Sequence, residues 1–290
     1  MQEEIIILMT SDFILMAAPL EDNSDNAFRS ICYKYGADLT FTEMIRLKAL
    51  VRGNKSTWSR LAVHDDTPTV VQLLVSNEKE LDTFLSKFEP FPGFKGFNIN
   101  LGCPAPDVIK AGLGSAMMKR NAKVQRLIDV FRKHNFPISL KARLGLNNYE
   151  KKNKAYLNLI RNTAPDYFII HLRHAAQRYD EPADWSLVPE ILQIAKENGK
   201  KIAINGDIVN KDRVDHLKRL GAYGAMLGRA AVYDPSIFDY LKGGEKTNVE
   251  QIRREYAELA KQYKSTERFT ENVLKRMGRD SKKIDEKLLI

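Results

Sequence analysis

Eight times along this chain a short apolar run gives way to an amphipathic helical stretch, and no other feature restricts the fold as much. Phe13–Ala18 reads as a strand, followed by a helix over Asn23–Tyr35 with Ala27, Phe28, Ile31 and Tyr35 on one face. Asp38–Phe41 is the second strand, leading through Thr42-Glu43-Met44 into a helical stretch that reaches Leu61. Thr69–Leu74 is the third, and its helix opens with Asn77 and Glu80 at capping-box spacing. Lys95–Leu101, Pro137–Ala142, Asp166–His171, Lys201–Asn205 and Ala222–Leu227 complete the set. Helices from Asn121, over Tyr149–Arg161, Asp184–Asn198, Asn210–Leu220 and Pro235–Leu241 follow them in turn. Strands that each feed a helix predict an α/β fold, a parallel sheet closed into a (β/α)8 TIM barrel. An open doubly wound sheet would alternate too, but no glycine-rich dinucleotide fingerprint follows the first strand.

Lys242-Gly243-Gly244 breaks the rhythm. From Asn248 to Leu289 the pattern is helical and heavily charged, with Ile252, Tyr256, Leu259 and Tyr263 in one stripe. The chain therefore divides into a barrel over residues 1–242 and a small all-helical appendage of two or three helices over 245–290.

A barrel of this kind does its chemistry at the carboxyl ends of its strands. The fourth strand ends in Gly102-Cys103-Pro104, which stops both strand and helix, and a long connection from Ala105 to Arg120 follows, loosened by Gly112 and Gly114. Such connections usually span about 2–6 residues, and longer ones are usually functional. The other strands deliver Ala18-Pro19-Leu20, Glu43, Gln72, Asn98 and Asn100, Lys141 and Arg143, His171 and Arg173, Asn205-Gly206-Asp207, and Gly228-Arg229 to the same rim. Any one has a bland explanation: Gln72 satisfying backbone, His171 hydrogen-bonded in a core, Lys141 snorkelling. Polar side chains at every strand end are harder to dismiss. Small residues after the last two strands expose backbone N–H groups, and Arg229 adds a cation, which suits a phosphate.

Composition narrows the partners. No apolar run reaches the ~18 residues of a membrane span, and Ile5–Met9 is short for a signal segment and follows Glu3 and Glu4 rather than basic residues. Two cysteines, Cys32 and Cys103, exclude a disulfide framework and suit a reducing cytoplasm. Cys32 falls on the apolar face of its helix and reads as core. The formal charge is +9, of which the segment from Glu245 onward carries +3, with twelve Lys/Arg against nine Asp/Glu. That excess is either a solvated surface or the footprint of a polyanion spread over barrel and tail.

Asn100-Leu101-Gly102-Cys103-Pro104, Gly112-Leu113-Gly114-Ser115, Lys141-Ala142-Arg143, His171 with Arg173, Ala183-Asp184-Trp185, Asn205-Gly206-Asp207-Ile208 and Gly228-Arg229 occur in that order. Together with Phe28-Arg29 and Gly36-Ala37-Asp38, they resemble the tRNA-dihydrouridine synthase family from about Phe13 to Tyr240. The resemblance implies FMN-dependent reduction of uridine to 5,6-dihydrouridine in RNA, with NADPH as reductant. It makes Cys103 the proton donor to C5, and the hydride goes to C6 from the flavin N5. It assigns Ala18, Pro19, Leu20, Gln72, Lys141, His171, Asn205, Gly206, Asp207, Gly228 and Arg229 to the flavin, with Lys141 beside its N1–C2=O edge. It gives Asn100, Arg143, Arg173 and Tyr179 to the uridine, where Arg178 or Arg173 could serve in place of Tyr179. The expected partner is tRNA or another structured RNA gripped by the tail, for a cytoplasmic monomer with no metal and no membrane association.

The chain departs from the family pattern in four places. Leu20 stands for a common methionine, Val75 for a glycine, and His171-Leu172-Arg173-His174 for His-Gly-Arg-Thr. The part after Tyr240 is shorter than usual. Val75 is expected to narrow the approach to the flavin. Two other readings stay open: an FMN barrel acting on a free pyrimidine, which has no need of a basic surface or appended helices, and a non-catalytic RNA-binding descendant, against which Cys103, Lys141 and His171 speak.

Overall fold

The computed structural model describes residues 13–61 and 63–279. The readings made for Ile5–Met9 and for the chain beyond residue 279 lie outside the described residues. Nine parallel strands form one sheet: β1 Ile14–Ala17, β2 Thr40–Phe41, β3 Ile45–Arg46, β4 Thr69–Leu74, β5 Phe94–Leu101, β6 Ile138–Ala142, β7 Tyr167–His171, β8 Ile202–Asn205 and β9 Gly224–Leu227. They pair in the order β1-β9-β8-β7-β6-β5-β4-β2. A bridge between Met16 and Leu39 joins the ends, with the Ala17 N–H donating to the Leu39 carbonyl at 2.9 Å. This is the (β/α)8 barrel. The ninth strand arises because β2 and β3 both pair with β4, splitting one of the eight positions.

Alternation along each strand builds two cores. Met16, Phe41, Val70, Ile169, Ala203 and Met226 fill the barrel interior. The outward side chains pack under the helices in one large cluster that includes Leu73, Phe97, Leu140, Phe168 and Leu227. In parallel sheets both faces are covered, which is why the strands read as continuous apolar runs. The interior set fixes which residues reach the mouth. Two positions above Val70 lies Gln72, two above Ile169 lies His171, and Asn100 is in register with Lys141.

Two sequence expectations change in detail. The helix expected over Tyr149–Arg161 is two helices, Asn148–Lys152 and Ala155–Asn162, separated by Lys154 in the left-handed region. The connection after β5 is folded rather than loose: it contains a helix at Pro106–Lys110 and a tight turn at Gly114–Met117. Ser115 holds that turn to the Cys103 carbonyl through both its N–H (3.2 Å) and its hydroxyl (2.9 Å).

The tail contributes helices Val249–Gln262 and Glu267–Arg276. The first docks on the outer wall of the barrel against the helix Asn26–Lys34, and the second packs on the first and on the helix Arg229–Tyr233. Ile252, Tyr256, Ala260 and Val273 belong to the main cluster under the barrel helices. Tyr35 donates to Glu255 at 2.8 Å, Ser265 to Asp25 at 2.5 Å and Tyr263 to Asp65 at 3.1 Å, while His64 stacks on Tyr263. Arg253, one of the tail's cations, is turned inward: it caps the end of the second tail helix by donating to the Leu274 and Met277 carbonyls. No helix among the described residues is long and apolar enough to cross a membrane.

Candidate active site

Cys103 leaves β5 at the barrel mouth, where the side chain of Asn100 catches the turning backbone. Its amide oxygen accepts the N–H of Gly102 at 3.0 Å and of Cys103 at 2.9 Å, and its amide nitrogen donates to Gln72 at 2.9 Å. Gln72 donates onward to Asn98 (2.8 Å), and Asn98 to Ser139 (2.8 Å). The Thr42 hydroxyl accepts the Gln72 N–H at 3.0 Å. Buried polar groups must be paired, and this network achieves that across β2, β4, β5 and β6. Ser139, two positions below Lys141, is the member of this network that the sequence did not single out.

The Cys103 side chain is 7% exposed and packs with Leu74, Val108, Met44, Ala105 and Leu113. Burial raises the thiol above its ordinary value, and Glu21 and Asp107 push the same way. The thiol is therefore protonated throughout the neutral range. Gly114 sits so close that a Cβ there would lie 2.9 Å from the Cys103 carbonyl and 3.0 Å from its Cβ. Its φ is +57°, so the glycine is required by both contact and backbone conformation.

Lys141 stands across from Asn100 on β6. It is half-buried, and no ion pair or hydrogen bond to its ammonium occurs among the described residues. Burial lowers its ammonium to about 7, and Arg143 adds to the fall. An interior cation without an anion is a receptor for one. His171 is held well below the ordinary imidazole value, first by burial and then by Lys141, Arg143, Arg173 and Arg229. Its Nε2 lies 3.3 Å from an Arg173 nitrogen that only donates, so Nε2 accepts and the proton sits on Nδ1.

Below the loops after β7 and β8 lies a charge cluster centred on Asp207. Its carboxylate receives Arg173 at 2.6 Å, Arg229 at 2.8 Å and the Ala183 N–H at 2.9 Å. Arg173 is 1% exposed and also donates to the Glu181 carbonyl at 2.6 and 2.8 Å. Every nitrogen of that guanidinium is engaged inside the protein. Arg213, which the sequence did not single out, lies over the Trp185 ring at 4.1 Å, and Asp207 offsets part of its burial. Beside the cluster, Asn205, Asp207, Met226, Gly228 and Arg229 line a recess of about 30 Å³. A Cβ at Gly206 would meet the His171 ring at 3.0 Å, so the backbone approaches the imidazole closely there.

Tyr179 is 56% exposed, and Arg143 donates to its hydroxyl at 3.0 Å. Its ring lies 6.3 Å from that of His171 and has the Arg143 and Arg229 guanidinium groups over it. Ala18 is buried at the top of β1, and Leu20 packs against the interior core. Arg173, expected at the uridine, is instead committed to Asp207, His171 and the Glu181 carbonyl. Val75 does not narrow the mouth: as the outward neighbour of Leu74 it is 3% exposed and packs under the helices. Cys32 is fully buried in the core as expected.

The chain matches the family model described as dihydrouridine synthase (Dus) over residues 16–284. It is 31% identical over 230 residues to a protein of Bacillus subtilis (strain 168) named "Probable tRNA-dihydrouridine synthase 2", covering 77% of this chain and 70% of that one. It is 26% identical over 264 residues to "Probable tRNA-dihydrouridine synthase" of Rickettsia prowazekii, covering 89% and 79%. Among solved structures, histamine dehydrogenase from Rhizobium sp. 4-9 superposes with a TM-score of 0.54 at 12% identity, over 84% of this chain and 48% of that one, a likeness of fold.

Proposed function

The chain belongs to the dihydrouridine synthase family, and on that premise we propose how its own side chains perform the family's reaction. That reaction is the NAD(P)H-dependent, flavin-mediated reduction of a uridine in tRNA to 5,6-dihydrouridine. The observation that carries the assignment is the pairing, on adjacent strands, of a thiol kept protonated by burial with an interior cation that has no anion of its own.

The donor set fits FMN, with NADPH as its reductant. Lys141 would hold the flavin's N1–C2=O edge, where its positive charge would favour the reduced form. The recess lined by Asn205, Gly228 and Arg229 offers a cation and small residues where the phosphate of FMN would sit. Asp207 contributes by aiming Arg229, not by meeting the phosphate itself, and Arg173 supports Asp207 and His171 from beneath. Pro19 and Leu20, just past β1, would pack against the ring of a bound flavin. The flavin supplies the hydride for C6.

Cys103 donates the proton that C5 requires, and its raised pKa keeps that proton available. Asn100 orients Cys103 through the backbone. Tyr179, steadied by Arg143, offers a ring on which an unstacked base can lie, since a base must leave its helix before its C6 can be reached. The tail is assigned to RNA contact through its outward cations, excluding Arg253.

The test is to denature the purified protein and identify the released cofactor. FMN in near-stoichiometric amount supports the reading. Colourless protein that takes up no added FMN overturns it.

A further inference from the structure

We propose that the excursion between β2 and β4 forms one wall of a groove that holds the phosphate backbone of the RNA strand flanking the reactive uridine. The inference rests on the assignment of tRNA as substrate and names where its strand runs. Between Met44 and His64 the chain carries Arg46, Lys48, Arg52, Lys55 and Arg60 and no carboxylate. That stretch contributes β3 and two short helices, Leu47–Val51 and Lys55–Ser59, at the carboxyl end of β2, the end where the site lies.

The groove has a volume of about 590 Å³. Arg46, Lys48, Arg52 and Asn54 line one side, and Asn77 and Leu113 the other, with Glu80 the carboxylate among its lining residues. Leu113 and Leu74 belong both to the groove and to the cluster that encloses the Cys103 thiol. The groove therefore runs against the loop that carries the proton donor. Past Arg46 a second recess of about 230 Å³ continues it, lined by Met44, Thr57 and Arg60 and by the carboxylates Glu21 and Asp107, with Arg46, Ala49 and Leu74 common to both. Arg60 is paired with Glu43 there, so the free positive charge lies on the Lys48 and Arg52 side. The result is an elongated trough along the rim rather than a closed cup.

Charge and spacing favour a nucleic-acid strand. Arg46 is tied to Asp107 on the Cys103 loop, but Lys48 and Arg52 are exposed and enter no ion pair among the described residues. They lie four positions apart around one helical turn, where Cβ atoms are about 5–6 Å apart, a separation that successive phosphates of one strand can match. Exposed, unpaired cations in an open trough bind a phosphodiester backbone without reading sequence. Asn54 and Asn77 add neutral donors on the two facing walls.

The holoenzyme carrying Lys48→Gln and Arg52→Gln together tests this, against a control with Lys196→Gln and Lys200→Gln, which removes the same charge at the opposite end of the barrel. Binding of an unmodified tRNA transcript is measured across a salt series, and NADPH oxidation is followed separately. Each lost phosphate contact lowers the slope of log K against log[salt] by about 0.7–0.9, so the groove variant is expected to lose about 1.4–1.8 and the control almost none. Its tRNA affinity should fall at least about tenfold at low salt, with the KM for NADPH unmoved. Equal tRNA affinity and slope in groove variant and control overturn the proposal. A raised KM for NADPH with unchanged tRNA binding overturns it too, and reassigns the groove to the dinucleotide. Wild-type protein that binds tRNA with this dependence but forms no dihydrouridine leaves the groove standing and breaks the assigned reaction instead.

Discussion

The side-chain oxygen of Asn100 accepts the backbone N–H of Cys103 at 2.9 Å, so a residue near the end of β5 also holds the turn that carries the thiol. The other end of that amide is bonded to Gln72. Asn100→Ala would leave two backbone donors and one side-chain acceptor unpaired in a part-buried site, at about 1–3 kcal/mol for each group that water fails to reach. Chemical denaturation should show the loss. Dihydrouridine formation should fall with it while cofactor content holds. Unchanged stability and turnover would mean that the loop holds itself.

Cys103→Ala removes the proton donor without touching the groups assigned to the flavin. General acids contribute about 10²–10⁴-fold, and that is the expected drop in turnover on tRNA, with NADPH oxidation in the presence of an artificial acceptor retained. Because the thiol sits above its ordinary value of 9.0, wild-type turnover should stay level through the neutral range. It should decline only on the alkaline side of that value. Cys32→Ala, in the core, should change stability and leave that pH profile alone.

Lys141 carries a pH signature of its own in the flavin-free protein. Its folded value is about 7 against an ordinary 10.5. Between those values the unfolded chain binds the extra proton, so stability rises as pH rises through that window. Below about 7 both states are protonated and the cost of the buried charge is felt in full. Lys141→Met should therefore stabilise flavin-free protein at pH 6 and below, with the gain fading toward pH 10.5. The same variant should lose flavin retention. Thermal melts of both proteins over that range check the sign.

Arg229→Ala should weaken cofactor retention twice over, by removing a cation at the recess and by leaving the Asp207 carboxylate with one guanidinium fewer. Asp207→Asn should also weaken retention, although it removes a negative charge, because Arg173 and Arg229 both lose the group that aims them. Fluorescence titration with FMN separates the cases. Tighter binding in Asp207→Asn would show that the carboxylate opposes the phosphate rather than organising its partners.

A chain cut at Gly244 should not simply lose RNA affinity. Ile252, Tyr256 and Val273 are each 0% exposed, and the first tail helix packs over the helix Asn26–Lys34. Removing them uncovers that helix, and each fully buried side chain of this size is worth about 1.5–3 kcal/mol. The truncated protein should melt well below the full chain. If it melts at the same temperature, the tail is an independent attachment.

The barrel was legible because parallel strands buried on both faces leave unbroken apolar runs, and Thr69–Leu74 is a strand over those same residues. The rim residues followed from strand ends. What the sequence could not convey was which polar side chains were already committed to one another. Arg173 reads as free to meet a substrate, yet Asp207, thirty-four residues later, holds it in a buried pair. The tail reads as an RNA grip, yet one of its cations, Arg253, is spent as a helix cap. Val75 reads as an obstruction, but the alternation that places Gln72 inward turns Val75 outward. Gly112 and Gly114 read as flexibility, whereas Gly114 answers to a close contact with Cys103.

The central claim is tested most directly by incubating the purified flavoprotein and NADPH with an unmodified tRNA transcript and measuring dihydrouridine by mass spectrometry, as a gain of two hydrogens on a defined uridine. The account predicts that gain with wild-type protein and a fall of about 10²–10⁴-fold with Cys103→Ala. Flavin-loaded wild-type protein that consumes NADPH and leaves every uridine unreduced would contradict it.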